Sequence, residues 1–374
     1  MPGKEIPDRC MNCREAQPAF ILRTRHVCQD CYVRFVKYKP FKRTENYRLR
    51  RNMPQDGPCK LLLPLSYGLS STVLLHMLHE QIEAMRLKPH GPKGYELLVL
   101  TIDPSTISPT IPSHDEAFSL AEKLFPQCSF TTVPFHSIFD LDPNIGEVMS
   151  QYAHADFKDQ TSLSNQERLE VFRASISTAT SKVDIDNILI NRLIVAFAQK
   201  MECRGIVWGD SDSKLAAKTL ANVAKGRGSA VTWQVCDGMS PFGLEYNFPL
   251  RDLFTVELRN YASFFPELAE LIIPHEQPSE NTLTKNLSID ELMVRYVLTQ
   301  GEKYPGVMLN VTRTASKLQS SGASSAGPQC NLCGALTFDA NEASVAPQAT
   351  GQHSDNLSSQ ICYACARSRP DLSC

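Results

Sequence analysis

Leu61-Leu62-Leu63-Pro64-Leu65-Ser66-Tyr67-Gly68-Leu69-Ser70-Ser71 is the stretch from which the fold can be read. Residues 61–65 form an apolar run of strand length. A short serine-glycine loop follows. Val73, Leu74, Met77, Leu78, Ile82 and Met85 then recur at helical spacing, with Ser70 or Ser71 as the expected cap. The unit is therefore strand, loop, helix. Pro64 is its flaw, because proline removes a ladder donor from a central strand.

The same alternation continues downstream. A strand at 97–102 ends at Asp103-Pro104, a helix is expected at about 114–125, and a strand near 130–135. A helix at about 186–201 carries Leu189, Leu193, Phe197 and Met201 on one face. Gly205-Ile206-Val207-Trp208 reads as a buried strand ending in Gly209-Asp210-Ser211, before a helix from about 212 to 224. Apolar strands alternating with amphipathic helices imply an α/β fold, an open parallel sheet covered on both faces. Ligands in such sheets bind beyond the carboxyl ends of the strands, where the loops at 66–71, 103–105 and 209–213 all fall.

Outward from this body, the chain carries Cys-x-x-Cys pairs at both ends. Cys10/Cys13 and Cys28/Cys31 precede it, and Cys330/Cys333 and Cys362/Cys365 follow it. Two intervening residues let two thiolates converge on one tetrahedral ion, and a second pair completes a four-cysteine site. The spacing predicts two structural zinc sites. An iron–sulfur cluster also accepts four thiolates, although ribbon-like pairs favour zinc. His26 is left without a coordination position. Neither site keeps an open position for catalysis. Modules this small need the roughly 10–16 kcal/mol that zinc supplies to small fingers. Of the residual cysteines, 59, 128, 203 and 236 lack pair spacing and Cys374 is terminal; Cys203 reads as structural.

The expected division is a basic zinc-ribbon module at 1–51, an α/β domain at 52–254 with a polar insertion or mobile arm at 139–182, a helical extension at 255–311, a linker at 312–329 and a C-terminal four-cysteine zinc module at 330–374. Residues 1–51 hold thirteen lysines and arginines against five acids, an excess of eight in a chain of net charge −2. The remainder is therefore acidic by ten charges. A basic module on an acidic body suggests a polyanion contact, with an ordinary solvated face as the bland alternative. The candidates are Arg23, Arg25, Lys37, Lys39, Lys42, Arg43, Arg48, Arg50 and Arg51, interleaved with Tyr32, Phe35, Tyr38, Phe41 and Tyr47. Basic groups hold phosphates and aromatic faces stack bases. No apolar run reaches membrane-span length. No N-terminal stretch resembles a signal peptide. Thirteen cysteines without one point to a reducing compartment, the cytoplasm by default.

A basic Cys-x-x-Cys module, a strand with a serine-glycine loop, a parallel sheet and a terminal Cys-x-x-Cys pair, in that order, resemble the PP-loop tRNA thiolation family. Within it the chain is most similar to the companion subunit of the eukaryotic thiolase. The carrying segments are Cys10–Cys31, Leu62–Leu75, Gly209-Asp210-Ser211 through Gly226-Arg227-Gly228, Pro249-Leu250-Arg251-Asp252, Cys330–Cys333 and Cys362–Cys365.

The resemblance implies a PP-loop (adenine nucleotide alpha hydrolase-like) sheet. It implies nucleotide contacts at Ser66, Gly68, Ser70, Ser71, Asp103 and Gly209 in degenerate form. Active members carry Ser-Gly-Gly-x-Asp-Ser, whereas this chain has Tyr67 for the first glycine and Ser70 for the acid. They carry Gly-His-x-x-Asp-Asp, whereas here Asp210, Ser213 and Lys214 replace the histidine and both acids. They also place cysteines mid-chain, where Ser177–Asp184 has none.

The implied role is a non-catalytic subunit that binds tRNA and forms a heterodimer with a catalytic PP-loop partner. That partner would adenylate the wobble uridine 34, with sulfur from a thiocarboxylated ubiquitin-related modifier. ATP binding on this chain is expected to be weak or lost. Two alternatives remain open at this point: an autonomous ATP-dependent tRNA sulfurtransferase, and a zinc-ribbon interaction protein unrelated to tRNA.

Overall fold

The computed structural model describes residues 7–48, 58–87, 94–274, 287–318, 328–337 and 361–369. A two-stranded antiparallel hairpin, β1 (Phe20–Leu22) and β2 (Arg25–Val27), opens the chain. The main sheet comprises β3 (Cys59–Pro64), β4 (Tyr95–Ile102), β5 (Ser129–Val133), β6 (Gly205–Val207), β7 (Gly238–Met239) and β8 (Glu245–Asn247). Its order is β5-β4-β3-β6-β8-β7, and only the edge strand β7 runs antiparallel.

The chain builds outward from β3 to β4 and β5, then returns to the other side of β3 to lay down β6. The topological switch point therefore lies between β3 and β6, the place where such sheets open a ligand crevice. Pro64 is accommodated because β6 pairs only with Leu61 and Leu62 of β3. The missing donor falls past the end of that ladder.

Successive β3 side chains enter opposite layers, as the pleat requires. Leu62 joins Leu98, Leu100 and Ile206 on one face; Leu61 and Leu63 join Leu97, Val99 and Val207 on the other. The first face is covered by the helix Ala179–Lys200 and by Ile138–Leu141, Ile145–Ala153 and Asn165–Ser175. The second is covered by the helices Gln29–Arg43, Leu69–Arg86, Asp115–Leu124, Thr255–Ala262 and Pro266–Leu271.

Two sequence expectations need correction. The stretch at 139–182 is not a loose polar arm. Phe139, Ile145, Met149, Tyr152, Leu169 and Phe172 bury their side chains in the first layer, so its many polar residues occupy the outer faces of short helices. The linker expected from 312 begins later, because the helix Pro305–Ala315 buries Thr312, whose hydroxyl donates to the Asp212 carbonyl. The four-cysteine modules pack into the body of the fold. Cys10, Cys28 and Cys31 belong to the second core and Cys330, Cys333, Cys362 and Cys365 to the first, so the two knuckles pack on opposite faces of the sheet. No helix among the described residues is long and apolar enough to cross a membrane.

Candidate functional site

The switch point opens into a cavity of about 640 Å³. Ser66, Ser71 and Gly209 line it, together with Trp208, Asp210, Lys214 and Lys218. β3 and β6 bring the two loops into contact: a Cβ added at Gly209 would lie 2.6 Å from Ser71 Cα. Glycine at 209 is thus a close-approach residue.

The loop itself differs from expectation at its cap. Gly68 is the N-cap of the helix Leu69–Arg86, at φ −73° and ψ 159°, with no side-chain cap. Ser70 and Ser71 lie inside the first turn. Ser71 Oγ donates to the Gly68 carbonyl at 3.1 Å and is 3.3 Å from Ser66 Oγ. The two hydroxyls are thereby engaged with their own loop.

Tyr67 takes the left-handed conformation at φ 54°, the strain expected of a non-glycine there. Its ring does not crowd the anion side of the loop. It is fully buried in the second core, edge-on to His114 at 5.5 Å. Its carbonyl accepts from Ile273 N–H at 2.9 Å.

Of the remaining nucleotide candidates, Gly68, Ser70 and Asp103 do not line the cavity. The Asp103 carboxylate is committed to its own turn, accepting from the Ser105 N–H at 3.0 Å and the Ser105 hydroxyl at 2.8 Å. At the two positions where the Gly-His-x-x-Asp-Asp pattern has acids, Lys214 faces the cavity and Ser213 turns away to donate to Asp212 at 3.0 Å. Lys218 lies 5.5 Å over the Trp208 ring and 3.8 Å from Asp210. The result can attract an anion, and the acids on its wall, Asp184, Asp210 and Asp290, each already lie close to a lysine or arginine rather than standing ready for a divalent ion.

Both four-cysteine sets assemble. In each, the four sulfurs lie within 4.8 Å of one another. Cys13 and Cys28 sulfurs are 3.8 Å apart and those of Cys333 and Cys362 are 3.5 Å apart. Four thiolates at ~2.3 Å from one tetrahedral ion lie about 3.8 Å apart, so the donor sets fit a single shared ion. At the N-terminal site Cys28 N–H donates to Cys10 Sγ at 3.3 Å. At the C-terminal site a side chain takes that role: Arg227 Nη1 donates to Cys365 Sγ at 3.2 Å. Among the described residues, Cys59, Cys203 and Cys236 are buried in the core and Cys128 is partly buried against it. Burial pushes the Cys203 thiol up to about 11 and the Cys128 thiol up to about 12, away from thiolate chemistry.

The basic module divides into anchors and free charges. Arg23 Nε pairs with Glu257 at 3.0 Å and its guanidinium lies over Phe254. Lys37 pairs with Glu80 at 2.6 Å, and Arg43 bridges Asp237 and Asp252 at 2.6 and 2.5 Å. These three hold the module to the body. Lys39 lies partly buried over Phe35. Arg25 and Lys42 are exposed. Arg50 and Arg51 fall outside the described residues, as does the side chain of Arg48. Of the aromatic residues, Tyr32 and Tyr47 are core, and Tyr38 is 58% exposed. Arg34 is exposed too, although sequence reasoning passed over it. Arg34, Tyr38 and Lys42 recur every four residues on one helix face, a spacing that the sequence already displayed.

Two buried acids also escaped notice. Asp212, 1% exposed, faces Glu257, and burial raises its carboxyl to about 7. Burial alone would also raise Asp184, but Arg227 and Lys225 outweigh it and hold that carboxyl below the usual range.

Comparison with known proteins adds the family. The model of the cytoplasmic tRNA 2-thiolation protein 2 family matches residues 288–360. A protein of that name from Aspergillus niger is 72% identical over 374 residues, covering all of both chains. The chain belongs to the cytoplasmic tRNA 2-thiolation protein 2 family. A more distant member, from Coccidioides immitis, is 43% identical over 368 residues and 97% of each chain. Among solved structures, the U34-tRNA thiolase NcsA from Methanococcus maripaludis with its [4Fe-4S] cluster superposes at a TM-score of 0.55. That match covers 89% of this chain and 92% of that one at 14% identity. It establishes the shared PP-loop α/β fold. The chain thus combines a thiolase-like sheet with four-cysteine sets on both faces.

Proposed function

We propose that this chain is a tRNA-binding, non-catalytic subunit of the cytoplasmic tRNA 2-thiolation machinery, needed for 2-thiolation of wobble uridine 34. It forms a heterodimer with a catalytic PP-loop partner, which adenylates the uridine and receives sulfur from a thiocarboxylated ubiquitin-related modifier. The observation that carries this reading is the switch-point site. It keeps the strand-loop-helix frame and the Gly209–Ser71 approach, yet its serines bond to their own loop and the acids on its wall, Asp184, Asp210 and Asp290, are each close to a lysine or arginine. ATP therefore binds weakly or not at all.

The Cys10/Cys13/Cys28/Cys31 and Cys330/Cys333/Cys362/Cys365 sets each hold one zinc ion. The ion supplies folding free energy to its knuckle and no reactive position. Arg25, Arg34 and Lys42 hold tRNA phosphates, and Tyr38 offers a ring face to an unpaired base. Arg23, Lys37 and Arg43 fix the orientation of that surface.

The test combines two titrations of the purified chain. Unmodified tRNA is expected to bind, with affinity falling steeply as salt rises, while Mg²⁺-ATP is neither hydrolysed nor bound tightly. ATP turnover by the chain alone would favour the autonomous sulfurtransferase, and indifference to tRNA would favour a zinc-ribbon interaction protein.

A further inference from the structure

Arg227 is 3% exposed, and a buried cation needs partners on every side. Its Nε lies 3.1 and 3.0 Å from the two Asp184 oxygens, Nη2 is 2.5 Å from Asp184, and Nη1 is 3.2 Å from Cys365 Sγ. Asp184 also receives Lys225 Nζ at 2.8 Å, and the same ammonium reaches both Asp290 oxygens at 2.8 Å. Charges therefore alternate from sulfur to surface: Cys365, Arg227, Asp184, Lys225, Asp290. The series crosses from the knuckle through the helix Ala179–Lys200 to the helix Ile289–Lys303.

The sulfur end explains why a cation is required. Four thiolates around a dication leave two negative charges. The four cysteines are all at most 9% exposed, so water does little to solvate that excess. A guanidinium donating to one sulfur lowers the cost of the buried charge and fixes the direction of that thiolate. Outer-sphere donors of this kind shape both affinity and geometry at metal sites. The N-terminal set is built differently, with a backbone N–H on its Cys10 sulfur.

We propose that Arg227 is the positioning residue of the C-terminal four-cysteine site. It neutralises part of the tetrathiolate charge through Cys365 and ties ion retention there to the packing of the body. The proposal rests on the reading that this cysteine set holds one zinc ion. Asp184 holds the guanidinium in place, and Lys225 and Asp290 anchor Asp184.

The test is zinc release from the full-length chain into a chromophoric chelator, with total zinc measured first. A Cys10→Ser/Cys13→Ser variant identifies the N-terminal phase. Arg227→Met is expected to accelerate release from the C-terminal site about 10- to 100-fold, while the N-terminal phase keeps its rate. Arg227→Lys, which retains a charge beneath Cys365, is expected to recover part of that loss. A general defect in folding would instead move both phases together. Cobalt substitution supplies a second readout, since removing a donor from one sulfur shifts the thiolate-to-cobalt charge-transfer band of that site alone.

Unchanged C-terminal release in Arg227→Met, equal acceleration of both phases, or no difference between the Lys and Met variants would overturn the proposal. A wild-type chain carrying only the N-terminal ion would overturn the zinc reading itself, and this proposal with it.

Discussion

Gly209 and Ser71 touch across the switch point. A methyl group at 209 would meet Ser71 Cα at 2.6 Å and its Cβ at 2.8 Å. The approach joins the first turn of the helix after β3 to the loop after β6, and backbone on the far side cannot yield as a flexible side chain would. Gly209→Ala is expected to cost roughly 1–3 kcal/mol, as overpacking does. Denaturant unfolding checks it. A neutral substitution would show that the two segments separate freely.

Tyr67 combines left-handed strain with a fully buried ring. Tyr67→Gly would relieve about 1–2 kcal/mol of strain and forfeit about 3–5 kcal/mol of aromatic burial. The expected net effect is destabilisation by roughly 2 kcal/mol. The variant should gain no ATPase activity, because the loop still lacks an acid. Calorimetry and a phosphate-release assay together test both halves.

Asp212 predicts a pH signature. Its carboxyl titrates near 7 in the folded chain because burial penalises its charge, against about 3.9 when unfolded. The folded state therefore binds an extra proton between those values. Its contribution to stability is present at the acid end, declines as pH rises through 7, and is flat above that. Asp212→Asn should remove this slope and stabilise the protein at pH 8 relative to wild type, on the order of a few kcal/mol. Unfolding of both proteins between pH 5.5 and 8 measures the difference. A constant difference across that range would count against a buried, protonated Asp212.

The basic module predicts a separation of binding from stability. Arg34→Glu and Lys42→Glu should leave the melting temperature unchanged and weaken tRNA binding. Each should flatten the logarithmic salt slope by more than the ~0.7–0.9 expected for each phosphate no longer neutralised, since reversal also repels. Arg43→Ala should instead cost roughly 1 kcal/mol of stability, because Asp237 and Asp252 lose their shared partner. Equal effects of both kinds of substitution on tRNA affinity would remove the distinction between anchors and free charges.

Local pattern made the sheet legible. The apolar runs at 61–65, 97–102 and 205–208 place the strands Cys59–Pro64, Tyr95–Ile102 and Gly205–Val207 to within two residues without tertiary information, and Cys-x-x-Cys spacing foretold the sulfur clusters. Pairing over long separations was not legible. Arg23 and Lys42 are equally basic in sequence, but Arg23 meets Glu257 from 234 positions away. Arg227 follows a helix between two glycines, and nothing local announces a cysteine 138 positions later as its partner. The segment 139–182 misled because its buried residues are spread over short helices whose outer faces are polar. The capping serines misled because Gly68 already has the extended conformation a cap needs, leaving Ser71 to bond backward.

The central claim is that this chain supports thiolation without performing it. The decisive measurement is thiouridine formation at position 34 of an unmodified tRNA, using Mg²⁺-ATP and a sulfur donor, with the purified chain alone and with the proposed catalytic PP-loop partner added. A supporting subunit should give no thiouridine alone, robust product with the partner, and reduced product when Arg34 and Lys42 are reversed. Thiouridine formed by the chain alone, and abolished by Ser66→Ala or Lys214→Ala substitution, would contradict it.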